Sequence, residues 1–202
     1  MKKITGAGIF IVEFYKNENY IILVKSKNNL YDDAGGTRDI NENPAETACR
    51  ECREETRNLL NFNPSDLSYN IVVKNYISFI VYVTGLSLNY YNHNMTFTSM
   101  CPSYWNETDD IIRIPLREIN ISSLPIVHLG KRTIILRKRT CDIIKILFPM
   151  LTKILPSNKN KSSWSLSSHD HSVKLSLKNL HPQINSKNKL KCLNKTVSFH
   201  VK

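Results

Sequence analysis

A chain of 202 residues with 41% hydrophobic residues is long enough for one domain with a sizeable core and a shorter appendage. Its formal charge of +11 points to anionic partners, and its five scattered cysteines, odd in number, exclude a disulfide framework. Met1-Lys2-Lys3-Ile4 faintly mimics a signal peptide. Glu13 interrupts the apolar run, though, no small-residue cleavage site follows, and no apolar span reaches bilayer length, so the expectation is a cytoplasmic protein without a membrane partner.

The chain opens with strand patterns. Gly8 to Tyr15 and Tyr20 to Lys25 are rich in β-branched and aromatic residues and flank the polar turn Lys16-Asn17-Glu18-Asn19. A third short strand at Leu30 to Asp32 leads into Gly35-Gly36, read as a turn whose glycines permit positive φ and close backbone approach.

A helix start follows. Asn43 is a good N-cap, Pro44 suits the first helical position, and Glu46 stands where a capping box places its acid. Ala45, Ala48, Cys49, Cys52, Thr56 and Leu59 recur at three- and four-residue steps, giving a face of small residues suited to lying close on a sheet. The Cys49–Cys52 pair has no second pair at zinc-ligand spacing and reads as packing. On the other face Glu51, Glu54 and Glu55 crowd at i, i+3 and i+4, away from the N-terminus where the dipole favours acids. Such a patch is either compensated by a cation, for which an all-oxygen donor set favours Mg²⁺ or Mn²⁺, or it is a solvated face balanced by Arg50, Arg53 and Arg57.

From Gly36 the stretch runs Gly-x5-Glu-x7-Arg-Glu-U-x-Glu-Glu, with U apolar, through Gly36, Glu42, Arg50, Glu51, Cys52, Glu54 and Glu55. This resembles the signature of the Nudix hydrolases. The resemblance implies a Nudix-like α/β/α sandwich with a mixed sheet over residues 1–156. It also implies Mg²⁺ (or Mn²⁺) held by Glu51, Glu54, Glu55 and the backbone carbonyl of Gly35. A diphosphate bond in a small nucleoside-diphosphate-linked substrate would be hydrolysed there, with a nucleotide, a nucleotide sugar or capped RNA as the options. Arg50 would orient Glu51 and pair with Glu42, and Glu51, Glu55 or Glu107 would act as general base. Two positions depart from the pattern: Arg57 stands where the family has its closing Gly, with Asn58 after it, and Ala34 replaces the usual preceding Pro. Without that Gly the helix is expected to run on through Leu59 and Leu60, with Asn61 as a cap. The same departures favour an alternative, a catalytically inactive module that binds nucleic acid or protein.

Beyond a turn at Asn63 to Asp66, strands are predicted at Ser68 to Val73 and Tyr76 to Val83, the second apolar enough to be central. Thr84 to Asp110 is the most irregular part, and its Tyr90, Tyr91, His93, Phe97, Tyr104 and Trp105 would either stack on a base or plug the sheet. At its end Glu107, with Asp109 and Asp110 behind it, is the best candidate for the further acid that many Nudix family members place before the next strand, here Ile111 to Leu116, the alternative being that these are ordinary surface acids. A helical pattern over Thr133 to Leu155 has a basic entry at Lys131 to Arg139, and Pro149 should end or kink it. Residues 157–202 hold nine lysines against Asp170 alone, and read as a disordered tail. That tail either attracts the phosphates of RNA or reflects compositional drift.

Overall fold

The computed structural model describes residues 3–88 and 108–151. Strand β1 (Gly6–Tyr15) is apolar along nearly its whole length because the sheet surrounds it. On one side it runs parallel to β6 (Tyr76–Thr84). On the other, its second half pairs antiparallel with β2 (Glu18–Ser26) and its first half with β4 (Ala34–Thr37). β2 also carries β3 (Tyr31–Asp32) and, along its other edge, β7 (Thr108–Pro115). β5 (Asn70–Val73) closes the far edge against β6, so β6 is central, as its apolar character predicts.

Period-two alternation divides the core in two. Phe10, Val12, Ile21, Leu23 and Ile80 face one way, under α2 (Lys138–Leu151), whose Ile143, Ile144, Leu147 and Leu151 join the same cluster. Ala7, Ile9, Ile11, Ile22, Phe79 and Val81 face the other way, under α1 (Pro44–Glu55). Ala48, Cys49 and Cys52 are the α1 residues in that second cluster, and their small size lets the helix lie close on β1 and β4. The result is the expected α/β/α sandwich with a mixed sheet.

Several boundaries differ from expectation, each for a local reason. α1 begins as predicted, with Asn43 Oδ1 accepting from the Ala45 and Glu46 amides and Glu46 bonding back to the Asn43 amide at 2.8 Å. It ends at Glu55 instead of continuing to Leu60. The Arg57 amide donates to the Glu54 carbonyl (3.1 Å) and the Asn58 amide to the Arg53 carbonyl (2.8 Å), a Schellman closure. Arg57 (φ 52°) and Asn58 (φ 60°) are both left-handed, so the backbone turn survives without the glycine.

Gly35 and Gly36 lie in strand β4 and not in a turn, and neither has positive φ. β7 starts at Thr108, which puts Asp109 and Asp110 in the strand. Thr133 to Ile135 belong to a hairpin of β8 (Ile126–Leu129) and β9 (Arg132–Ile135), not to the last helix, whose apolar spacing is shared by this strand's buried Ile134. Pro149 sits inside α2, which continues to the buried Leu151 because that side chain packs into the core cluster. Glu107, the aromatic residues from Tyr90 to Trp105, and residues 152–202 lie outside the described residues. No helix among the described residues is long and apolar enough to cross a membrane.

Candidate active site

Arg50 is the hub of the acidic face of α1. Its Nε donates to Glu42 Oε1 at 2.7 Å and its Nη2 to Glu42 Oε2 at 3.0 Å, a bidentate pair. Nη1 reaches Glu51 Oε1 (2.9 Å) and Glu54 Oε2 (3.2 Å), and Nη2 also meets the Thr37 carbonyl (3.1 Å). The Arg50 guanidinium holds the Glu42 carboxyl down to about 2. Arg50 therefore bridges Glu42, Glu51 and Glu54, and it balances part of their charge.

The glycine strand brings the other acids in. A Cβ at Gly36 would stand 2.6 Å from all three carboxyl atoms of Glu51, so that carboxylate rests directly on the Gly36 backbone. The Gly35 amide donates to Glu55 Oε2 at 2.7 Å. Burial raises the Glu55 carboxyl well above the usual range, the Gly35 bond opposes this, and the charges of Glu51, Asp32 and Asp33 add to the rise. A further close approach explains why Gly35 is a glycine: a Cβ there would stand 2.1 Å from the Tyr76 hydroxyl and 2.4 Å from the Gly8 Cα. The same hydroxyl would be 2.1 Å from a Cβ on Gly8. Close approach, not left-handed backbone, is what these positions need.

Beneath β4 lies a polar cluster that sequence reasoning missed. Asp33 is fully buried, with Oδ2 accepting from Ser78 Oγ (2.7 Å) and the Tyr76 hydroxyl (3.1 Å). Arg139 pairs with Asp32 Oδ2 (2.5 Å) and Asp33 Oδ1 (3.0 Å), and its guanidinium lies 3.7 Å from the centre of the Tyr76 ring. Arg137 adds a contact to Asp32 at 3.1 Å, and Thr140 donates to the same carboxylate. Burial, then the neighbouring Asp33, pushes Asp32 up to about 7. The available signal was Asp32-Asp33 immediately before the glycines together with the Arg137–Arg139 run. Nothing in the one-dimensional pattern joins segments this far apart.

Of the remaining expected acids, Asp110 is engaged by Arg132 (2.5 Å) and the Tyr31 hydroxyl (3.0 Å), a structural role. Among the described residues no group of three or more His, Cys, Asp or Glu stands ready to hold a metal ion. Beside the glycines opens a cleft of about 360 Å³, whose lining includes Gly35, Gly36, Thr37, Tyr76 and the start of α2.

No family model matches the sequence, and no curated protein matches it. Solved structures with similar architecture are of Nudix type. A MutT/nudix family protein from Enterococcus faecalis is 12% identical, with 76% of this chain and 64% of that chain covered and a TM-score of 0.49. A Nudix hydrolase from M. smegmatis is 13% identical over 76% of this chain and 89% of that one, also at 0.49. The Nudix domain of Shewanella oneidensis NrtR, solved with ADP ribose, is 12% identical over 75% and 90%, at 0.44. The chain thus spans just under two thirds of the first of these. In signature and in architecture the chain resembles the Nudix hydrolases.

Proposed function

We propose that this chain is a divalent-metal-dependent hydrolase that cleaves a diphosphate bond in a nucleoside-diphosphate-linked substrate. The observation that carries this reading is the convergence of Glu51 on Gly36 and of Glu55 on the Gly35 amide. Two carboxylates of one helix face thus meet one strip of β4 backbone.

The donor set fits a hard cation. Glu51, Glu54, Glu55 and the Gly35 carbonyl offer oxygen only. Arg50 engages one oxygen of Glu51 and one of Glu54. When bound, Mg²⁺ or Mn²⁺ lowers the pKa of water and neutralises phosphoryl oxygens. Arg50 keeps Glu42 and the Thr37 carbonyl in either case, and so fixes the loop between β4 and α1. Glu55, whose carboxyl burial makes more basic, is the described acid suited to take the proton of the attacking water, alongside Glu51 and, outside the described residues, Glu107.

The test is Mg²⁺-dependent hydrolysis of ADP-ribose, dinucleoside polyphosphates and capped RNA by the full chain. Turnover of at least one, abolished in Glu54→Gln and Glu55→Gln, is the expected result; activity retained in both variants refutes the site. A second reading, an inactive nucleic-acid or protein-binding module, is favoured by the departures from the signature at Ala34, Arg57 and Asn58. It predicts salt-sensitive RNA binding, lost on deleting residues 157–202 and indifferent to the glutamates.

A further inference from the structure

Three of the chain's six glycines lie under one side chain. Tyr76 shares its strand face with Ile80, so its ring stands on the α2 side of the sheet. A Cβ on Gly6 would be 3.0 Å from an edge carbon of that ring, and one on Gly8 or Gly35 would be 2.1 Å from its hydroxyl. Gly8 and Gly35 face each other where β1 pairs with β4. The phenol therefore lies along β1 from Gly6 and ends over the Gly8–Gly35 crossing. Glycine weakens a strand, and three in paired positions mark a close approach.

The phenol is held from its own side too. Its hydroxyl donates to Asp33 Oδ2 (3.1 Å), an oxygen that also accepts from Ser78 Oγ (2.7 Å). The Arg139 guanidinium covers the ring at 3.7 Å and pairs with Asp32 and Asp33.

Gly35 has no side chain of its own to set its depth in the sheet. On the α2 side it meets the Tyr76 hydroxyl, and towards α1 its amide donates to Glu55 Oε2 at 2.7 Å. A backbone gripped from both layers carries position from one to the other.

We infer that Tyr76 is a positioning residue for the candidate active site: its hydroxyl sets the depth of Gly35 and, through the Gly35 amide, the place of the Glu55 carboxylate. This rests on the hydrolase reading for what Glu55 does there, whereas the hold of Tyr76 on Gly35 is independent of it. A cluster that merely stabilised the buried Asp33 charge would behave differently, and Ser78 separates the two cases. Ser78 is fully buried and donates to the same Asp33 oxygen at the shorter distance. Yet the three atoms nearest a Cβ on Gly35 belong to Tyr76, Gly8 and Ala7, none to Ser78. Tyr76→Phe and Ser78→Ala each take one donor from Asp33. Only Tyr76→Phe also removes the contact with Gly35.

The experiment is hydrogen exchange of the Gly35 amide by NMR, in EDTA, on the full chain labelled with ¹⁵N-glycine, which gives six signals. Tyr76→Phe is expected to speed that exchange several-fold relative to Gly6, whose contact with the ring phenylalanine keeps. Ser78→Ala should leave the ratio unchanged. Arg139→Lys keeps the charge beside Asp32 and Asp33 but not the flat cover of the ring, and should move the ratio in the same direction as Tyr76→Phe. Calorimetric titration with Mg²⁺ should show binding weakened roughly ten-fold in Tyr76→Phe, with kcat lowered and KM unchanged, while Ser78→Ala matches the unaltered chain. A ratio unchanged in both Tyr76→Phe and Arg139→Lys, or raised as much in Ser78→Ala, overturns the inference, and so does equal Mg²⁺ affinity in all the proteins. An unaltered chain that neither binds Mg²⁺ nor hydrolyses any substrate sinks the hydrolase reading alone, and the exchange ratio still decides the hold of Tyr76 on Gly35.

Discussion

The Gly35 amide and the Glu55 carboxylate meet at 2.7 Å, joining a strand that pairs with β1 to the last residue of α1. Sheet register and acid position are therefore a single constraint. Whatever shifts β4 along β1 also withdraws the donor from Glu55.

Glu55→Gln keeps a carbonyl oxygen for Gly35 but removes the charge that burial disfavours. Its thermal midpoint in EDTA should equal or exceed that of the unaltered chain. Added Mg²⁺ should raise the midpoint of the unaltered chain by mass action and leave Glu55→Gln and Glu54→Gln unmoved. Turnover in both should fall at least ~100-fold. An equal Mg²⁺ shift in all three proteins would remove the carboxylates from the metal site.

The two glycines should respond in opposite ways to the same added methyl. At Gly36 it meets the far end of a flexible side chain, Glu51, so Gly36→Ala should displace that carboxylate, with turnover lost and the melting midpoint little changed. At Gly35 it meets the Gly8 Cα and the Ala7 carbonyl within 2.7 Å, backbone that cannot yield. Gly35→Ala should destabilise by more than the usual ~1–3 kcal/mol of overpacking. Urea unfolding of both variants decides; equal losses of stability would contradict the contrast.

Arg57 is left-handed and almost fully buried, and its Nη2 donates to the Thr108 carbonyl. Arg57→Gly relieves ~1–2 kcal/mol of left-handed strain but forfeits a charged hydrogen bond and leaves a void in place of a large side chain. A net loss of about 1–2 kcal/mol is expected. Asn58, exposed at φ 60°, has no comparable anchor, so Asn58→Gly should be neutral within ~0.5 kcal/mol. A more stable Arg57→Gly protein would show that the buried guanidinium contributes nothing.

The Glu42 carboxyl, held at about 2 by Arg50 against an ordinary value of 4.5, gives a pH dependence of known sign. A depressed acid stabilises the fold above its unfolded value and loses that contribution as pH falls through its folded value. The stability advantage over Glu42→Gln should be full near neutrality and narrow progressively as pH falls from about 4.5 towards 2. Arg50→Ala should narrow it at neutral pH as well. A gap that stays constant down to pH 2 is the contrary result, read from urea midpoints across that range.

Local signals were legible in the sequence and non-local ones were not. The cap at Asn43, the small-residue face from Ala48 to Cys52, and the Arg50–Glu42 pair all lie within a few turns of one helix, where spacing dictates geometry. The end of α1 was misjudged because left-handed closure is normally signalled by glycine, and here a tertiary contact to Thr108 accompanies Arg57 in its place. Thr133 to Ile135 read as helix in sequence although they form β9, because Ile134 and Leu136 fit either period over so short a run. The Asp32–Asp33–Arg139 cluster pairs residues more than a hundred positions apart, with Tyr76 and Ser78 from a third segment.

Both borders of the span between Leu86 and Thr108 are tied down. The Leu86 amide donates to Glu13 Oε1 (2.9 Å) and its carbonyl accepts from Arg113 (2.8 Å), while Thr108 is gripped by Arg57 and donates to the Glu55 carbonyl at 3.0 Å. One mooring holds β1, against which α1 packs, and the other holds the exit of α1 itself, so loosening either end of this span reaches the acidic helix.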